Sequence, residues 1–113
     1  MSTLSTHVLD TAVGKPAHGV DITLERQSGN DWSRVGGGVT NDDGRVKDLL
    51  AAGESMTAGV YRLRFAVESY FQSTERESFY PYADVVFRIA DGEEHYHVPL
   101  LISGWGFSTY RGS

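Results

Sequence analysis

The clearest structural signal in the sequence is the stretch from Gly59 to Val67, which reads GVYRLRFAV. Its apolar side chains recur at every second position, at Tyr61, Leu63 and Phe65, and arginines occupy the positions between them. Because successive side chains of a strand point to opposite faces of a sheet, this alternation is typical of a strand with one buried face and one face in solvent. The stretch therefore predicts a β-strand that covers a core.

Similar alternating segments lie on both sides of this stretch, separated by clusters of Gly, Asn, Asp and Pro. The predicted strands are residues 3–9, 20–26, 32–40, 45–48, 59–67, 83–90, 94–102 and 107–111. Residues 69–76 lack this period and contain neither Gly nor Pro, so they predict a helix of about two turns. About eight short strands and one helix indicate an all-β sandwich or barrel. Since the links between strands are short, we expect antiparallel pairing.

Glycine and Asp/Asn clusters predict where the chain turns or bends. Residues 27–30 and 41–44, which read QSGN and NDDG, predict turns. The pair at 91–92, Asp-Gly, predicts a hairpin between the strands at 83–90 and 94–102. The three glycines at 36–38 predict a bulge or a sharp bend in the strand at 32–40.

Length and composition limit the class of protein. A chain of 113 residues corresponds to a single domain, which we place at 1–113. The absence of cysteine excludes disulfides, thiolate nucleophiles and cysteine-based zinc sites. The net charge of −5 argues against nucleic-acid binding, and no apolar run approaches the roughly 18 residues that a membrane span needs. With no targeting segment in the first residues, we expect a cytoplasmic protein that binds neither nucleic acid nor membranes.

The histidines allow three interpretations. His95 and His97 are two residues apart on a predicted strand, so both side chains project from one face. They could hold a metal with His7 as a third ligand, they could be partly exposed strand residues without a role, or they could act in acid/base chemistry near neutral pH. His18 lies in a Gly/Pro loop and is expected to have no role.

Acid/base chemistry at a carbonyl would also need a positive group that stabilises the developing negative charge. Arg45, directly after the NDDG turn, and Arg111 are available. From the residue pattern alone they do not stand out from the other strand arginines, because a charged residue on a strand is usually part of the solvated face. Those other arginines are Arg34, Arg62, Arg64 and Arg88.

Several motifs, in order along the chain, resemble the transthyretin-like family, and specifically its 5-hydroxyisourate hydrolase branch. They are LSTHVLDT at 4–11 with GKPAHGV at 14–20, TNDDGR at 40–45, YHVPLLIS at 96–103 and STYRGS at 108–113. The last four residues, YRGS, are the most specific element. In this family they separate the hydrolases from the thyroid-hormone carriers, which share the fold but lack the tetrapeptide.

The resemblance implies a transthyretin-like β-sandwich of two four-stranded sheets with one short helix. It also implies a homotetramer, a dimer of dimers, with active sites at the interface between dimers. The implied reaction is hydrolysis of 5-hydroxyisourate, the product of urate oxidation, to 2-oxo-4-hydroxy-4-carboxy-5-ureidoimidazoline. The family uses no metal and no organic cofactor.

The resemblance also assigns roles to single residues. His7 and His97 fall on the catalytic histidines, one as general base and the other orienting or shuttling, without indicating which is which. Arg45 falls on the catalytic arginine, which stabilises the carbonyl oxygen. Ser113 is expected to donate through its hydroxyl or to position water through its carboxylate. His95 is a candidate for orienting a neighbouring catalytic group.

The remaining residues of the terminal motif are expected to bind the substrate. They are Tyr110, Arg111 and Gly112. Arg111 would offer its planar guanidinium to the urate-like anion.

The sequence departs from the family pattern at two positions. Gly104 stands where the family usually has Pro, and Phe107 stands where it often has Tyr. Loss of the Pro is expected to loosen the turn by about 0.4 to 1 kcal/mol if its geometry is compatible with Pro. Two alternatives to the enzyme stay open: a non-catalytic carrier of a small ligand in the same family, and a structural β-sandwich adaptor.

Overall fold

The computed structural model describes residues 3–90 and 94–112, and within them the chain forms two packed β-sheets and one short helix. The strands are β1 (Thr3–Asp10), β2 (Lys15–Pro16), β3 (Asp21–Ser28), β4 (Asp31–Val39), β5 (Arg45–Val46), β6 (Gly59–Phe65), β7 (Ala83–Ile89), β8 (His95–Ser103) and β9 (Gly106–Thr109). The helix, α1, spans Val67–Ser73. The expected all-β sandwich with a single short helix is confirmed.

One sheet has the order β4-β3-β6-β7, and the other has the order β2-β1-β8-β9 with β5 also paired to β1. The two-residue strands β2 and β5 pair with the same strand, β2 with the end of β1 and β5 with its middle. Strand β2 lies in a segment that the sequence indicated to be a loop. The helix begins two residues earlier than expected because Val67, Tyr70 and Phe71 bury one face of it. Among the described residues, no helix has the length and apolar character to span a membrane.

Two expectations about strand pairing are wrong. Strands β1 and β8 run parallel over their whole length, which short links cannot produce, but most of the chain lies between these two strands. The hairpin expected at 91–92 does not form, because β7 and β8 belong to different sheets. Residues 91 and 92 themselves lie outside the described residues.

The alternation along the strands determines which side chains face the core. Tyr61, Leu63 and Phe65 of β6 are fully buried, as the sequence predicted, and they face the inner residues of β1 and β8. Those inner residues are Leu4, Thr6, Val8, Tyr96, Val98, Leu100 and Ile102. Burial of each large apolar side chain stabilises the fold by about 1.5 to 3 kcal/mol. The odd-numbered residues of β1 and β8 therefore lie on the outer face of their sheet.

The predicted bulge in β4 is confirmed. Leu24 pairs with Gly36 whereas Glu25 pairs with Arg34, so Val35 is the extra residue. Such a bulge locally bends and twists the strand. It turns Val35 into the core, where it is almost completely buried.

The segment that follows β5 is hydrogen-bonded to a strand of each sheet beside this bulge. The Leu49 amide donates to the Leu4 carbonyl at 3.0 Å, and the Gly37 amide donates to the Leu49 carbonyl at 2.8 Å. A Cβ atom at Gly36 would lie 1.8 Å from the Leu49 oxygen, so this crossing requires glycine. The crossing holds β5, and with it Arg45, against the edge of β1.

The turn at Gly104 has a packing reason for its glycine. A Cβ atom there would lie 2.7 Å from the carbonyl oxygen of Glu77, and the Phe79 amide donates to the Gly104 carbonyl at 2.7 Å. A proline at this position would displace the segment that follows the helix. The geometry at Gly104 is therefore not compatible with proline, and a proline would not tighten this turn.

A buried polar cluster joins the end of β1 to the helix region. Asp10 is completely buried. Its carboxylate accepts a hydrogen bond from the Tyr70 hydroxyl at 2.8 Å and another from the Arg76 guanidinium. The Ala12 amide donates to the second carboxylate oxygen at 3.1 Å.

Candidate active site

A groove on the outer face of the first sheet lies where β1, β5 and β8 meet. Its volume is about 370 Å³, and it opens to solvent. The residues that line it are Ser5, Thr6, Arg45, Val46, Lys47, His95 and His97. An arginine and a lysine on one small surface make the groove positive in a chain whose net charge is negative.

The strand register brings the predicted catalytic residues together. His7 lies directly opposite Arg45 in the β1–β5 pair, and Ser5 lies directly opposite His97 in the β1–β8 pair. Cβ atoms of directly opposed residues are about 5 Å apart. His7, Arg45 and His97 therefore share one side of the sheet within reach of a single small molecule, although they are distant in sequence.

The turn before β5 fixes the backbone of Arg45. The side-chain oxygen of Asn41 accepts from the amides of Asp43 at 2.9 Å and of Arg45 at 3.0 Å. Gly44 has a φ of 75°, and a Cβ atom there would lie 2.4 Å from the Val8 oxygen. The predicted NDDG turn is confirmed, and it delivers Arg45 to the position opposite His7.

Arg45 differs from Arg62, Arg64 and Arg111, each of which has a carboxylate partner. Arg62 contacts Glu25 at 2.7 Å, Arg64 contacts Asp84 at 2.8 Å and Arg111 contacts Glu94 at 3.0 Å. The guanidinium of Arg45 has no such carboxylate within residues 3–90 and 94–112. Its charge is available to an anionic group in the groove.

Both histidines are held in the neutral form. Burial lowers the pKa of His7 and of His97 below the ordinary value of 6.5, and the positive charge of Arg45 lowers both further. His95 and His7 act in the same direction on the pKa of His97. A backbone hydrogen bond to Asp43 opposes the change at His7 without cancelling it. A neutral imidazole at pH 7 can accept a proton, as a general base must.

The imidazole of His97 is held through one nitrogen. The Ser5 hydroxyl oxygen lies 2.8 Å from His97 Nδ1 and 3.0 Å from His95 Nε2. The other nitrogen of His97, Nε2, makes no hydrogen bond to any part of the chain that the structure describes. The sequence did not single out Ser5, although the alternation along β1 places it on the same face as His7.

The residues of the C-terminal segment contact two different parts of the structure. The Gly112 amide donates to the His97 carbonyl at 2.8 Å. Arg111 instead lies over the Tyr96 ring, and with Tyr110 it lines a separate cavity of about 270 Å³ between β7 and β8. Within one chain the structure does not bring these two side chains into the groove. Ser113 lies outside the described residues.

The position of Gly112 leaves no room for a side chain beside the imidazole of His97. A Cβ atom there would lie 2.6 Å from His97 Cδ2 and 3.2 Å from Pro99 Cγ. We expect Gly112→Ala to push the imidazole out of place and to lower turnover by about tenfold, because small misplacements of reacting groups are costly. Gly106→Ala is the matched control, since a Cβ atom at Gly106 meets nothing closer than 4.0 Å. Steady-state kinetics of the two variants compares them, and equal turnover would contradict this role of Gly112.

The metal interpretation finds no support in the grouping of side chains. Among the described residues, no three His, Cys, Asp or Glu side chains are arranged to hold a metal ion. His95 and His97 share the Ser5 hydroxyl instead. His18 is exposed and lies 3.5 Å from Asp42, away from the groove.

Comparison with known proteins gives a consistent set of relatives. The sequence profile of the HIUase/transthyretin family matches residues 4–112. A probable 5-hydroxyisourate hydrolase of Caenorhabditis elegans is 47% identical over 99% of this chain and 82% of its own length. The solved 5-hydroxyisourate hydrolase of Klebsiella pneumoniae is 42% identical, with full coverage of both chains and a TM-score of 0.85.

The carriers of the same fold are more distant in sequence. Sea bream transthyretin, solved with thyroxine, superposes with a TM-score of 0.90 over 97% of this chain and 94% of its own, but it is only 28% identical. Backbone similarity therefore does not separate the two activities, whereas identity favours the hydrolases.

Proposed function

This chain belongs to the HIUase/transthyretin family, and we propose that it hydrolyses 5-hydroxyisourate in the groove between β1, β5 and β8. The observation that carries the proposal is the meeting of two neutral histidines with an arginine that has no carboxylate partner among the described residues. This is the set that hydrolysis of a cyclic amide needs: a proton acceptor for water and a cation for the developing oxyanion.

His97 is the general base in this mechanism. Its Nε2 is free of hydrogen bonds within the described chain, whereas Nδ1 is held by Ser5. Nε2 takes a proton from water as the water oxygen attacks the acyl carbon, and it returns a proton to the ring nitrogen when the C–N bond breaks. His7, opposite Arg45, orients the water or shuttles a proton.

Arg45 stabilises the carbonyl oxygen, which becomes negative in the transition state. Its guanidinium presents several N–H donors in a fixed plane, and no carboxylate among the described residues competes for them. The same positive charge attracts the anionic substrate to the groove. Tyr110, Arg111, Gly112 and Ser113 stay predicted substrate-binding or catalytic residues from the family resemblance.

A carrier of a small ligand is the second candidate, and the similarity to thyroxine-bound sea bream transthyretin favours it. A carrier has no need for a lowered histidine pKa or for an uncompensated arginine opposite a histidine. Those features, together with the higher identity to the hydrolases, favour the enzyme.

The proposed assembly is a homotetramer with sites at the interface between dimers. Strands β7 and β9 form the edges of their sheets, and their outer backbone groups have no strand partner in the described chain. Apolar side chains at these edges are exposed, namely Val86, Phe107 and Tyr110. Unpaired edges beside apolar surface favour pairing with a second copy. Light scattering that gave the mass of a single chain would contradict this assembly.

The test of the function is direct. Urate oxidation generates 5-hydroxyisourate in the cuvette, and its ultraviolet absorbance is followed with and without the protein. We expect the protein to accelerate the decay, and a rate equal to the spontaneous decay would refute the hydrolase.

Arg45→Gln is expected to lower turnover by at least about tenfold, because it removes the charge that stabilises the oxyanion. The matched control is Arg34→Gln, which removes an exposed arginine from β4 in the other sheet. Both variants are measured in the absorbance assay. Equal rates for the two would show that Arg45 is part of the solvated face only.

The cytoplasmic location also stays a prediction. Fractionation of cells that express the protein tests it.

A further inference from the structure

A continuous line of polar groups crosses the outer face of the sheet and ends at the groove. Thr3 Oγ1 lies 2.5 Å from His95 Nδ1, and His95 Nε2 lies 3.0 Å from Ser5 Oγ. Ser5 Oγ in turn lies 2.8 Å from His97 Nδ1. Thr3 and His95 are exposed, whereas Ser5 and His97 are partly buried. The line therefore runs from solvent to His97 Nδ1, the ring nitrogen that is not the proposed proton acceptor.

When both imidazoles are neutral, the contact between Ser5 and His97 has two possible directions. The Ser5 hydroxyl has one proton and two lone pairs, so it either donates to His97 Nδ1 or accepts from it. If Ser5 donates to His97 Nδ1, then His97 carries its own proton on Nε2 and has no lone pair there. If His97 Nδ1–H donates to Ser5, then the Ser5 proton is available to His95 Nε2 and the lone pair of His97 is on Nε2.

The charges at the two ends of the line favour the second arrangement. At the groove end, the cations of Arg45 and Lys47 line the same groove as His97, and Nε2 is the ring nitrogen of His97 that Ser5 does not hold. A nitrogen lone pair is attracted by positive charge, and an N–H group is repelled by it. At the other end, the Thr3 hydroxyl is exposed and can accept from His95 Nδ1–H while it donates to water.

We propose that Ser5, itself oriented by His95, is a positioning residue that keeps the proton of His97 on Nδ1 and the lone pair of Nε2 in the groove. The tautomer is a property of the folded chain alone, whereas its effect on turnover rests on the proposed hydrolase function.

The same hydrogen bonds also stabilise His97 when it is protonated. When His97 Nε2 takes the proton of water, both nitrogens carry protons, and Nδ1–H still donates to Ser5. The Ser5 proton is still donated to His95, so no group has to rotate. Hydrogen bonds in such a chain polarise one another and stabilise the positive imidazole. Loss of Ser5 removes this support and allows the proton to move to Nε2.

Nitrogen-15 NMR of the histidine side chains tests the tautomer without substrate. At a pH at which His97 is neutral, we expect the spectrum of the unchanged protein to show a protonated Nδ1 and an unprotonated Nε2. In Ser5→Ala the proton is expected on Nε2, at least in part, and in Ser5→Thr, which keeps the hydroxyl, on Nδ1. Ser33→Ala, in β4 of the other sheet, is the matched control and is expected to change nothing.

Kinetics supplies the second measurement. We expect Ser5→Ala to lower kcat about tenfold with KM little changed, because a histidine base in the wrong tautomer loses activity. We expect Ser5→Thr to restore kcat. His95→Ala removes the acceptor of the Ser5 proton and is expected to move the His97 proton toward Nε2, as in Ser5→Ala. Because His95 is exposed, this variant tests the proposal even if Ser5→Ala folds poorly.

An Nε2 proton on His97 in the unchanged protein would overturn the proposal, as would identical spectra of the unchanged protein and Ser5→Ala. The expected tautomer in a protein without hydrolase activity would refute the function and leave the positioning role intact. Hydrolase activity with the opposite tautomer would refute the positioning role alone.

Discussion

His97→Gln is expected to lower turnover of 5-hydroxyisourate by about 10²- to 10⁴-fold, the contribution of a positioned general base. Glutamine retains much of the shape of the side chain and can still contact Ser5, but it cannot accept a proton from water. His7 does not replace the base, because in the proposed mechanism it lies opposite Arg45 and orients the water or shuttles a proton. Initial rates in the absorbance assay measure the loss.

His18→Gln is the matched control for this substitution. His18 is exposed and contacts Asp42 at 3.5 Å, outside the groove, so its replacement should leave turnover within about twofold. Turnover of His97→Gln equal to that of His18→Gln would remove His97 from the mechanism.

The pH dependence of turnover is an independent test of the role of His97. Burial and Arg45 lower the pKa of His97, and the proposed general base acts in its neutral form. Activity is therefore expected to persist as the pH falls through 6.5 and to decline only at lower pH. Because the pKa of His7 is lowered as well, this acidic limb belongs to the pair. A decline centred above 6.5 would contradict the assignment.

Much of the fold follows from local alternation. The pattern at Gly59–Val67 placed Tyr61, Leu63 and Phe65 in the core, and they are buried. The parallel pairing of β1 with β8 could not be predicted in this way, because it joins two segments that are distant in sequence. Likewise, an Asp-Gly pair favours a turn but does not determine whether the chain stays in the same sheet.

The site was predictable in part for the same reason. Alternation alone places His7 and His97 opposite the apolar faces of their strands, as observed. The choice of Arg45 over Arg62 and Arg64 needed the tertiary structure, because Glu25 and Asp84, which neutralise the other two, are distant in sequence. Ser5 was missed since a serine on a strand carries no signal until its cross-strand neighbours are known.

The family resemblance and the single chain disagree at Arg111. The resemblance assigns this residue to the substrate, whereas the guanidinium contacts Glu94 and the Tyr96 ring, outside the groove. Tyr96 is an inward residue of β8, so it lies on the other side of the sheet from His97. Among the described residues of the motif, Gly112 is the one whose backbone contacts His97.

Asp10→Ala is expected to lower the free energy of unfolding by about 2 to 3 kcal/mol, because the buried Tyr70 hydroxyl and the partly exposed Arg76 lose their shared acceptor. The carboxylate is completely buried, and its loss leaves the Arg76 guanidinium and the Tyr70 hydroxyl without their acceptor. The cluster ties the end of β1 to the helix region, so its loss also loosens the strand that carries His7. Denaturant unfolding at one fixed protein concentration measures the change.

The matched control is Asp84→Ala, which also removes a carboxylate from an arginine. Asp84 is 26% exposed and its partner Arg64 is 41% exposed, so solvent compensates most of the loss and we expect a cost of about 0 to 1 kcal/mol. Equal losses in the two variants would show that burial of Asp10 adds nothing.

The dependence on pH separates the charge of Asp10 from its packing. Burial alone would raise the pKa of Asp10, but hydrogen bonds from Arg76 and Tyr70 outweigh it and hold the pKa below the usual value. A carboxyl group whose pKa is lower in the folded state stabilises the fold above its unfolded pKa of about 3.9, and this stabilisation is lost as the pH falls through the folded value. Asp10→Asn keeps the size of the side chain and removes the titration. The stability of Asp10→Asn should therefore fall less steeply than that of the unchanged protein below about pH 4, and parallel acid unfolding curves would assign the stabilisation to packing instead.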